Sequence, residues 1–300
     1  MKDRALATVL HRARVGSMVL VRLGVPGWRS ARPGQFAMLQ AEGSGCFLPR
    51  AFSVHAQREG SSDGSEVSFL IAPIGAATDE LVALSPGDRV WALGPLGRGF
   101  DILGELPRHG APGGSGRLLI VGGGVGVAPF VLALERLREI AAASTGGAHS
   151  EVLLLFGFRD AVQADALTLF EPAVAALRAE GVPVHLEGIC EDGSLGRPGL
   201  VTKLLEEHAR SGDAVIACGA HAMCEAVWDI CLRTGDGLDA WFSLEAGMAC
   251  GFGSCLGCVM PMADGVLARV CREGPVFSGR EVFGEARHPC AAPDAGGGGS

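Results

Sequence analysis

Cys250, Cys255 and Cys258 fall within nine residues of one another in the stretch MACGFGSCLGCVMP, and Cys271 follows after twelve intervening residues. The spacing C-x4-C-x2-C-x12-C matches, in its first three positions, the plant-type ligand pattern of a 2Fe–2S cluster, which a distant fourth cysteine completes. Such a cluster needs two thiolates on each iron. Its sulfurs are stabilised by backbone N–H groups that only a tightly wrapped loop supplies. Gly251, Gly253 and Gly257 are expected to permit that wrapping, because glycine takes a positive φ without steric cost. Four thiolates also suit structural zinc, which typically uses two short Cys knuckles of similar build. Here Cys271 stands alone after the hairpin-like PMADGVLARV, and zinc stays open as the alternative.

A second chemical signal is LLIVGGGVGVAPF, where Gly122, Gly123, Gly124 and Gly126 separate a β-branched strand from a helix with Pro129 in its first turn. A pyrophosphate can lie against such a turn, facing only backbone N–H groups at the positive end of a helix. The pattern is not a strict G-x-G-x-x-G, and glycines that merely allow packing are the alternative. Downstream, FGFRD presents Arg159 and Asp160; the carboxylate opposes a 2′-phosphate, so NAD is expected over NADP, against a simple solvated pair. In ACGAHAM, Cys218 and Gly219 stand at the carboxyl edge of a strand, where ligands of such sheets bind, although a core cysteine would also sit there.

Two weaker signals lie nearer the amino end. PRAFSVH offers Arg50, whose guanidinium can grip a pyrophosphate by forked hydrogen bonds, and Ser53, whose hydroxyl can donate to a ring heteroatom. LIAPIGAATDEL offers a turn with Gly75 and Thr78 leading into a short helix, whose start can receive phosphate or can simply be capped by Thr78.

The elements that must position these residues follow from periodicity. From Val15 to about Ile102, SMVLVRLGV, GQFAMLQA, RAFSVHA, EVSFLIAP and GDRVWALGPLG read as short strands, implying a small antiparallel barrel or sandwich over 1–103. Residues 104–117 are dense in Gly and Pro and are expected to be a linker. Over 117–243, strand and helix alternate four times before a last strand, DAWFSL, which implies a parallel sheet covered by helices. The cysteine module occupies 244–285, and 286–300 is expected to be a disordered tail.

A net charge of −8 with no basic run argues against nucleic acid. The charge-free stretches 118–134 and 246–263 are too rich in Gly and too interrupted by Pro to read as transmembrane. Charges scattered through MKDRALATVLHRARV leave no apolar signal core, so a reducing cytoplasm is expected, and most of the six dispersed cysteines are expected to be structural thiols.

Taken in order, PGQF, RAFS, GAAT, GPLGRGF, GGGVGVAP, ACGAHAM, SLEAGMACGFGSCLGC and RVCREGPVF resemble the electron-transfer subunits of type B dihydroorotate dehydrogenase, within the ferredoxin-reductase superfamily. The likeness spans roughly residues 5–283. It implies an amino-terminal FAD-binding barrel, a Rossmann-like NAD domain and a carboxy-terminal 2Fe–2S module. It also implies FAD contacts from Arg50, Ala51, Phe52 and Ser53, from Leu70, Ile71 and Ala72, and from Gly75, Ala77 and Thr78. Gly122 to Pro129, with Cys218 and Gly219, would surround the nicotinamide nucleotide, leaving Cys218 as the one candidate catalytic side chain. The four cysteines would be the cluster ligands. The implied partner is an FMN-containing dihydroorotate dehydrogenase catalytic subunit, in a heterotetramer of two of each, serving pyrimidine biosynthesis. A hydride carries two electrons and such a cluster accepts one, so a flavin between them makes chemical sense. Departures are GAAT in place of G-x-G-T, Phe52 where Tyr is common, and Gly247 in place of a charged residue. Two rivals share parts of the pattern: a flavin/iron–sulfur subunit of a ferredoxin-linked NAD(P)H oxidoreductase or sulfide dehydrogenase, and a zinc-stapled nucleotide-binding regulator.

Overall fold

Alternation along the amino-terminal strands sends one set of side chains inward. In β2 (Met18–Pro26) Val21, Leu23 and Val25 are buried, and in β6 (Gly64–Ile71) Val67, Phe69 and Ile71 are. The computed structural model describes residues 4–59, 64–104, 116–143, 151–234 and 239–285. The first sheet also contains β1 (Ala5–Val15), β3 (Phe36–Ala41), β4 (Arg50–Ser53), β5 (Ala56–Glu59) and β7 (Arg89–Leu96), with helix α1 (Ala76–Ala83) between β6 and β7. Its order is β4-β3-β7-β1-β2-β6-β5, with every pairing antiparallel.

The two ends of that order are one continuous segment. The Val54 N–H donates to the Gln35 carbonyl and the His55 N–H to that of Ser68, so 50–59 leaves β3 and joins β6, closing a barrel. RAFSVHA is therefore two strands with a bend. Strand β1 begins well before Val15, where the sequence reading starts; its pattern is broken by a bulge between Val9 and His11, beyond which His11 and Arg12 are exposed.

The second sheet has the order β10-β9-β8-β11-β12-β15. Strands β8 (Arg117–Gly123), β9 (Glu151–Phe158), β10 (Val184–Cys190), β11 (Ala214–Cys218) and β12 (Asp239–Ser243) are parallel. Runs such as LLIV, VLLLF and AVIAC are buried on both faces, as helix-covered strands must be. The helices are α2 (Phe130–Ala143), α3 (Ala161–Ala164), α4 (Glu171–Ala179), α5 (Val201–His208) and α6 (His221–Thr234). The cysteine segment adds a hairpin, β13 (Val259–Pro261) with β14 (Leu267–Arg269), then β15 (Val276–Ser278) and α7 (Gly279–Phe283). Strand β15 pairs antiparallel with β12, so the segment after the cysteines completes the sheet's edge. Trp228 and Phe283 both pack edge-on to Phe242, and the Trp228 indole donates to the Gly284 carbonyl at 2.9 Å, tying α7 to α6. Most of the expected linker, 105–115, and the expected tail, 286–300 with Cys290, lie outside the described residues.

Barrel and sheet share a core. Met18 and Leu70 of the barrel join Phe130, Phe156 and Phe170, with Phe156–Phe170 centroids 4.7 Å apart and Phe130–Phe156 stacked at 6.1 Å. Phe156→Ala is expected to cost about 3–5 kcal/mol. It should appear as a lower denaturant midpoint at unchanged slope, and an unchanged midpoint would contradict this packing.

His55 marks the same junction. Its Nδ1–H donates to the Ala128 carbonyl at 2.8 Å, its own carbonyl accepts from the Leu132 N–H, and it is buried. Burial drives its pKa down to about 4, outweighing the hydrogen bond to Ala128. The folded protein therefore keeps the ring neutral while the unfolded chain takes up a proton near pH 6.5. Stability is undiminished above pH 6.5 and falls between 6.5 and about 4, by on the order of 3 kcal/mol in all. His55→Gln should flatten stability against pH in that window; an equally steep profile in the variant would refute the assignment.

Candidate functional site

A cavity of about 510 Å³ opens where the barrel, the carboxyl edge of the parallel sheet and the lead-in to the cysteine segment meet. Strand β4 contributes Arg50, Ala51, Phe52 and Ser53; the end of β6 and the residue after it contribute Leu70 and Ala72; the following turn contributes Gly75, Ala77 and Thr78. Ile71 does not reach the cavity, because strand alternation turns it into the barrel core. Arg50 is exposed, its Nη1 donating to the Leu48 carbonyl at 2.8 Å, and no carboxylate pairs with it among the described residues. The Thr78 hydroxyl accepts from the Ile74 and Gly75 N–H groups at 2.9 and 3.0 Å and donates to the Gly75 carbonyl. It builds the turn. The open donors on that wall are the first N–H groups of α1, at Ala76 and Ala77.

The opposite wall carries Val125, Ala128, Cys218 and the run Ser243 to Met248. Burial first, then the nearby Glu245 carboxylate and Cys224, push the Cys218 thiol well above its usual value, against a hydrogen bond with Ser243. Cys218 thus stands as a neutral thiol. Desolvation by the cleft walls likewise raises the Glu245 carboxyl, although the residue is open to solvent at the rim. Ser243, Leu244 and Glu245 carry a sequence signal by position, at the carboxyl end of a parallel strand, rather than by residue type. Phe36 and Pro275 also line the cavity; they belong to PGQF and RVCREGPVF, which carry the family resemblance without pointing to a cavity role.

The glycine turn divides by role. A Cβ on Gly122 would lie 2.9 Å from Phe156 and Val127, and one on Gly126 2.4 Å from the Cys218 carbonyl oxygen, so both are required by packing. Gly124 takes φ +55° at the turn. Gly122, Gly123, Gly124, Gly126, Pro129 and Gly219 flank the cavity without lining it. Arg159 Nε meets Asp160 Oδ2 at 3.0 Å, and Asp160 Oδ1 accepts from the Gln163 N–H at the start of α3. These bonds, Gln163's first, hold the Asp160 carboxyl below the usual range.

The four cysteines form two pairs. Cys250 lies beside Cys255 and Cys271 beside Cys258, with the Cys271 N–H donating to Cys258 Sγ at 3.4 Å. Burial opposes ionisation of Cys250, but the N–H groups of Cys255, Phe252 and Ser254 overcome it and bring its pKa down to about 6. Burial and then Cys258 push Cys271 up to about 12, with the Gly253 N–H working the other way. Cys255 Sγ accepts from the Gly257 N–H at 3.4 Å. Gly251 and Gly253 adopt positive φ as expected, but Gly257 does not; Leu256 takes φ +58° instead, and Gly257 serves as a donor. A Cβ on Gly251 would lie 2.4 Å from Met38 Cγ, so the loop rests directly on the barrel. Arg269 braces the loop, donating to the Gly253 carbonyl and pairing with Glu273 at 2.6 Å. Two thiol pairs ringed by N–H donors fit two irons with two ligands each.

Residues 245–283 match the family model for the iron–sulfur cluster binding domain of dihydroorotate dehydrogenase B. A relative from Caldanaerobacter subterraneus subsp. tengcongensis, named dihydroorotate dehydrogenase B (NAD(+)), electron transfer subunit, is 32% identical over 286 residues, covering 94% of this chain and 100% of the relative. The chain belongs to this family. Dihydroorotate dehydrogenase B electron transfer subunits from Clostridium acetobutylicum and Geobacillus thermodenitrificans are 31% and 34% identical, covering 88% and 83% of this chain and 91% and 86% of theirs. The family's fold is seen in an NADH-dependent reduced ferredoxin–NADP oxidoreductase, with TM-score 0.69 at 22% identity over 94% of this chain and 91% of the other. A ferredoxin NADP+ reductase from Neisseria gonorrhoeae matches with TM-score 0.55 at 20% identity over 77% and 91%. The expected architecture, an antiparallel barrel joined to a parallel sheet with an iron–sulfur module, is thus the observed one, and the zinc reading gives way. As a dihydroorotate dehydrogenase B electron transfer subunit, the chain is a component of an oxidoreductase. No helix among its described residues is long and apolar enough to cross a membrane.

Proposed function

We propose that this chain carries electrons from an FMN-containing subunit that oxidises dihydroorotate, through its own 2Fe–2S cluster and FAD, to NAD+, in cytoplasmic pyrimidine biosynthesis. One observation supports this above the others. The 510 Å³ cavity is walled at once by barrel strands, by the carboxyl edge of the parallel sheet and by Met248, two residues before the first cysteine. A flavin bound there exchanges electrons in pairs with a nicotinamide and singly with a cluster.

The chain's own residues supply the rest. Arg50 would hold a pyrophosphate by forked hydrogen bonds, helped by the N–H groups of Ala76 and Ala77. Ala51, Phe52, Ser53, Leu70 and Ala72 would flank the ring. Cys218, kept neutral by burial, adds no charge where a hydride passes. Gly123, Gly124 and Gly219 would face the nicotinamide nucleotide, with the Asp160 carboxylate favouring NAD over NADP. Cys250, Cys255, Cys258 and Cys271 would ligate the cluster. Cys255 is exposed between Phe252 and Leu256, 53% and 60% exposed, an apolar rim suited to the partner subunit in a two-plus-two assembly. The barrel at 1–103, the nucleotide domain at 117–243 and the cluster module at 244–285 would act as functional units, although β15 lies in the second unit's sheet.

The test is co-purification and turnover. The chain should isolate with an FMN subunit and, with its FAD, pass electrons from NADH to a dye. No flavin-dependent turnover in flavin-loaded protein would overturn the proposal.

A further inference from the structure

The order of the parallel sheet reverses between β8 and β11, which sets the topological switch point at the carboxyl ends of those two strands. Gly123 ends β8 and Gly219 follows β11, and a Cβ on Gly219 would lie only 3.4 Å from the Gly123 backbone nitrogen. Two bare backbones thus face one narrow crevice. Gly122 and Gly126 owe their missing side chains to Phe156 and Cys218, but nothing in the core accounts for Gly123 and Gly219.

What they accommodate is Met223, the third residue of α6. Its Sδ would lie 2.6 Å from a Cβ on Gly123 and 2.8 Å from one on Gly219, and its Cε 2.7 Å from the latter. The thioether therefore rests on both backbones, half-buried, in the crevice. Methionine is unbranched, with three rotatable side-chain bonds, and repacks at little cost. Any pyrophosphate seeking the N–H groups of this crevice must first move it.

We propose that Met223 is a displaceable gate on the nicotinamide-nucleotide crevice, filling it when no nucleotide is bound and swinging aside on entry. This rests on the reading that the nucleotide lies over the glycine turn. The closed population lowers the apparent affinity by the fraction of open crevice and so favours release of the dinucleotide after hydride transfer. A residue that merely contacts the nucleotide or supports the fold would have the opposite signature, since its truncation weakens binding.

The experiment is titration of NAD+ and NADH into the flavin- and cluster-loaded chain by calorimetry. Met223→Ala should lower Kd roughly fivefold, the size expected when a competent state held to a minor population becomes dominant. Met223→Phe, larger and stiffer, should raise it. If the Ala variant does not load its flavin, Met223→Ser is the second truncation, with the same expected gain. Unchanged or weaker binding in the loaded truncations overturns the gate while leaving the nucleotide site in place. Absence of NAD binding by the wild-type chain instead overturns the site reading itself.

Discussion

Cys258→Ser and Cys271→Ser are each expected to abolish the iron–sulfur centre and, with it, electron flow between the partner subunit and NAD+. Both thiols are buried, and each is the other's nearest sulfur partner. A serine hydroxyl at either position leaves one iron with a single thiolate, in a site whose N–H donors are arranged for sulfur. Losing an outer-shell partner of a metal site typically costs roughly 10–100-fold, so removing a direct ligand should exceed that. The decisive contrast is internal. Activity of the reconstituted complex should vanish while NADH-to-dye turnover through the flavin persists, because the barrel and the glycine turn lie outside the altered loop. Full iron and acid-labile sulfide content in either variant would show that the residue is not a ligand.

The second large effect is expected at Arg50. Its guanidinium stands on the cavity wall and, among the described residues, bonds only the Leu48 and Pro49 carbonyls, so its charge is available to a phosphate. Charge-assisted hydrogen bonds contribute about 1.5–3 kcal/mol, so Arg50→Ala should raise the FAD dissociation constant roughly ten- to hundredfold. Arg50→Lys should recover only part of the loss, since an ammonium cannot make the forked contact. Titration of deflavinated protein, followed by flavin fluorescence, measures this directly. Cluster content should stay constant across the series; an unchanged FAD affinity in Arg50→Ala would remove Arg50 from the site.

What was readable in the residues and what was not divides along physical lines. Cluster chemistry demands one residue type at set intervals, so the quartet from Cys250 to Cys271 could be seen without any fold. Continuous apolar runs such as LLIV and VLLLF likewise announce strands covered on both faces. Strand β1 was harder, because its bulge shifts the alternation and its second half turns His11 and Arg12 to solvent. The glycine turn was legible as a turn, but not its division by role: Gly122 and Gly126 are demanded by Phe156 and Cys218, partners that only long-range pairing brings close. Gly257 was expected to wrap the cluster loop, yet Leu256 takes the positive φ, so the loop's path was legible but not the residue bearing its strain. Phe36, Met223, Glu245 and Pro275 lie in quoted motifs, but their places on the cavity and crevice walls are set by shape rather than chemical type, so the motifs do not reveal them.

Anaerobic addition of NADH to the purified, flavin- and cluster-loaded chain tests most directly whether one cleft couples nucleotide, flavin and cluster. Bleaching of both the flavin and the iron–sulfur absorption, with only the flavin band responding in Cys271→Ser, is the predicted result. A loaded wild-type protein whose flavin bleaches while its cluster stays oxidised, or in which neither band responds, would contradict it.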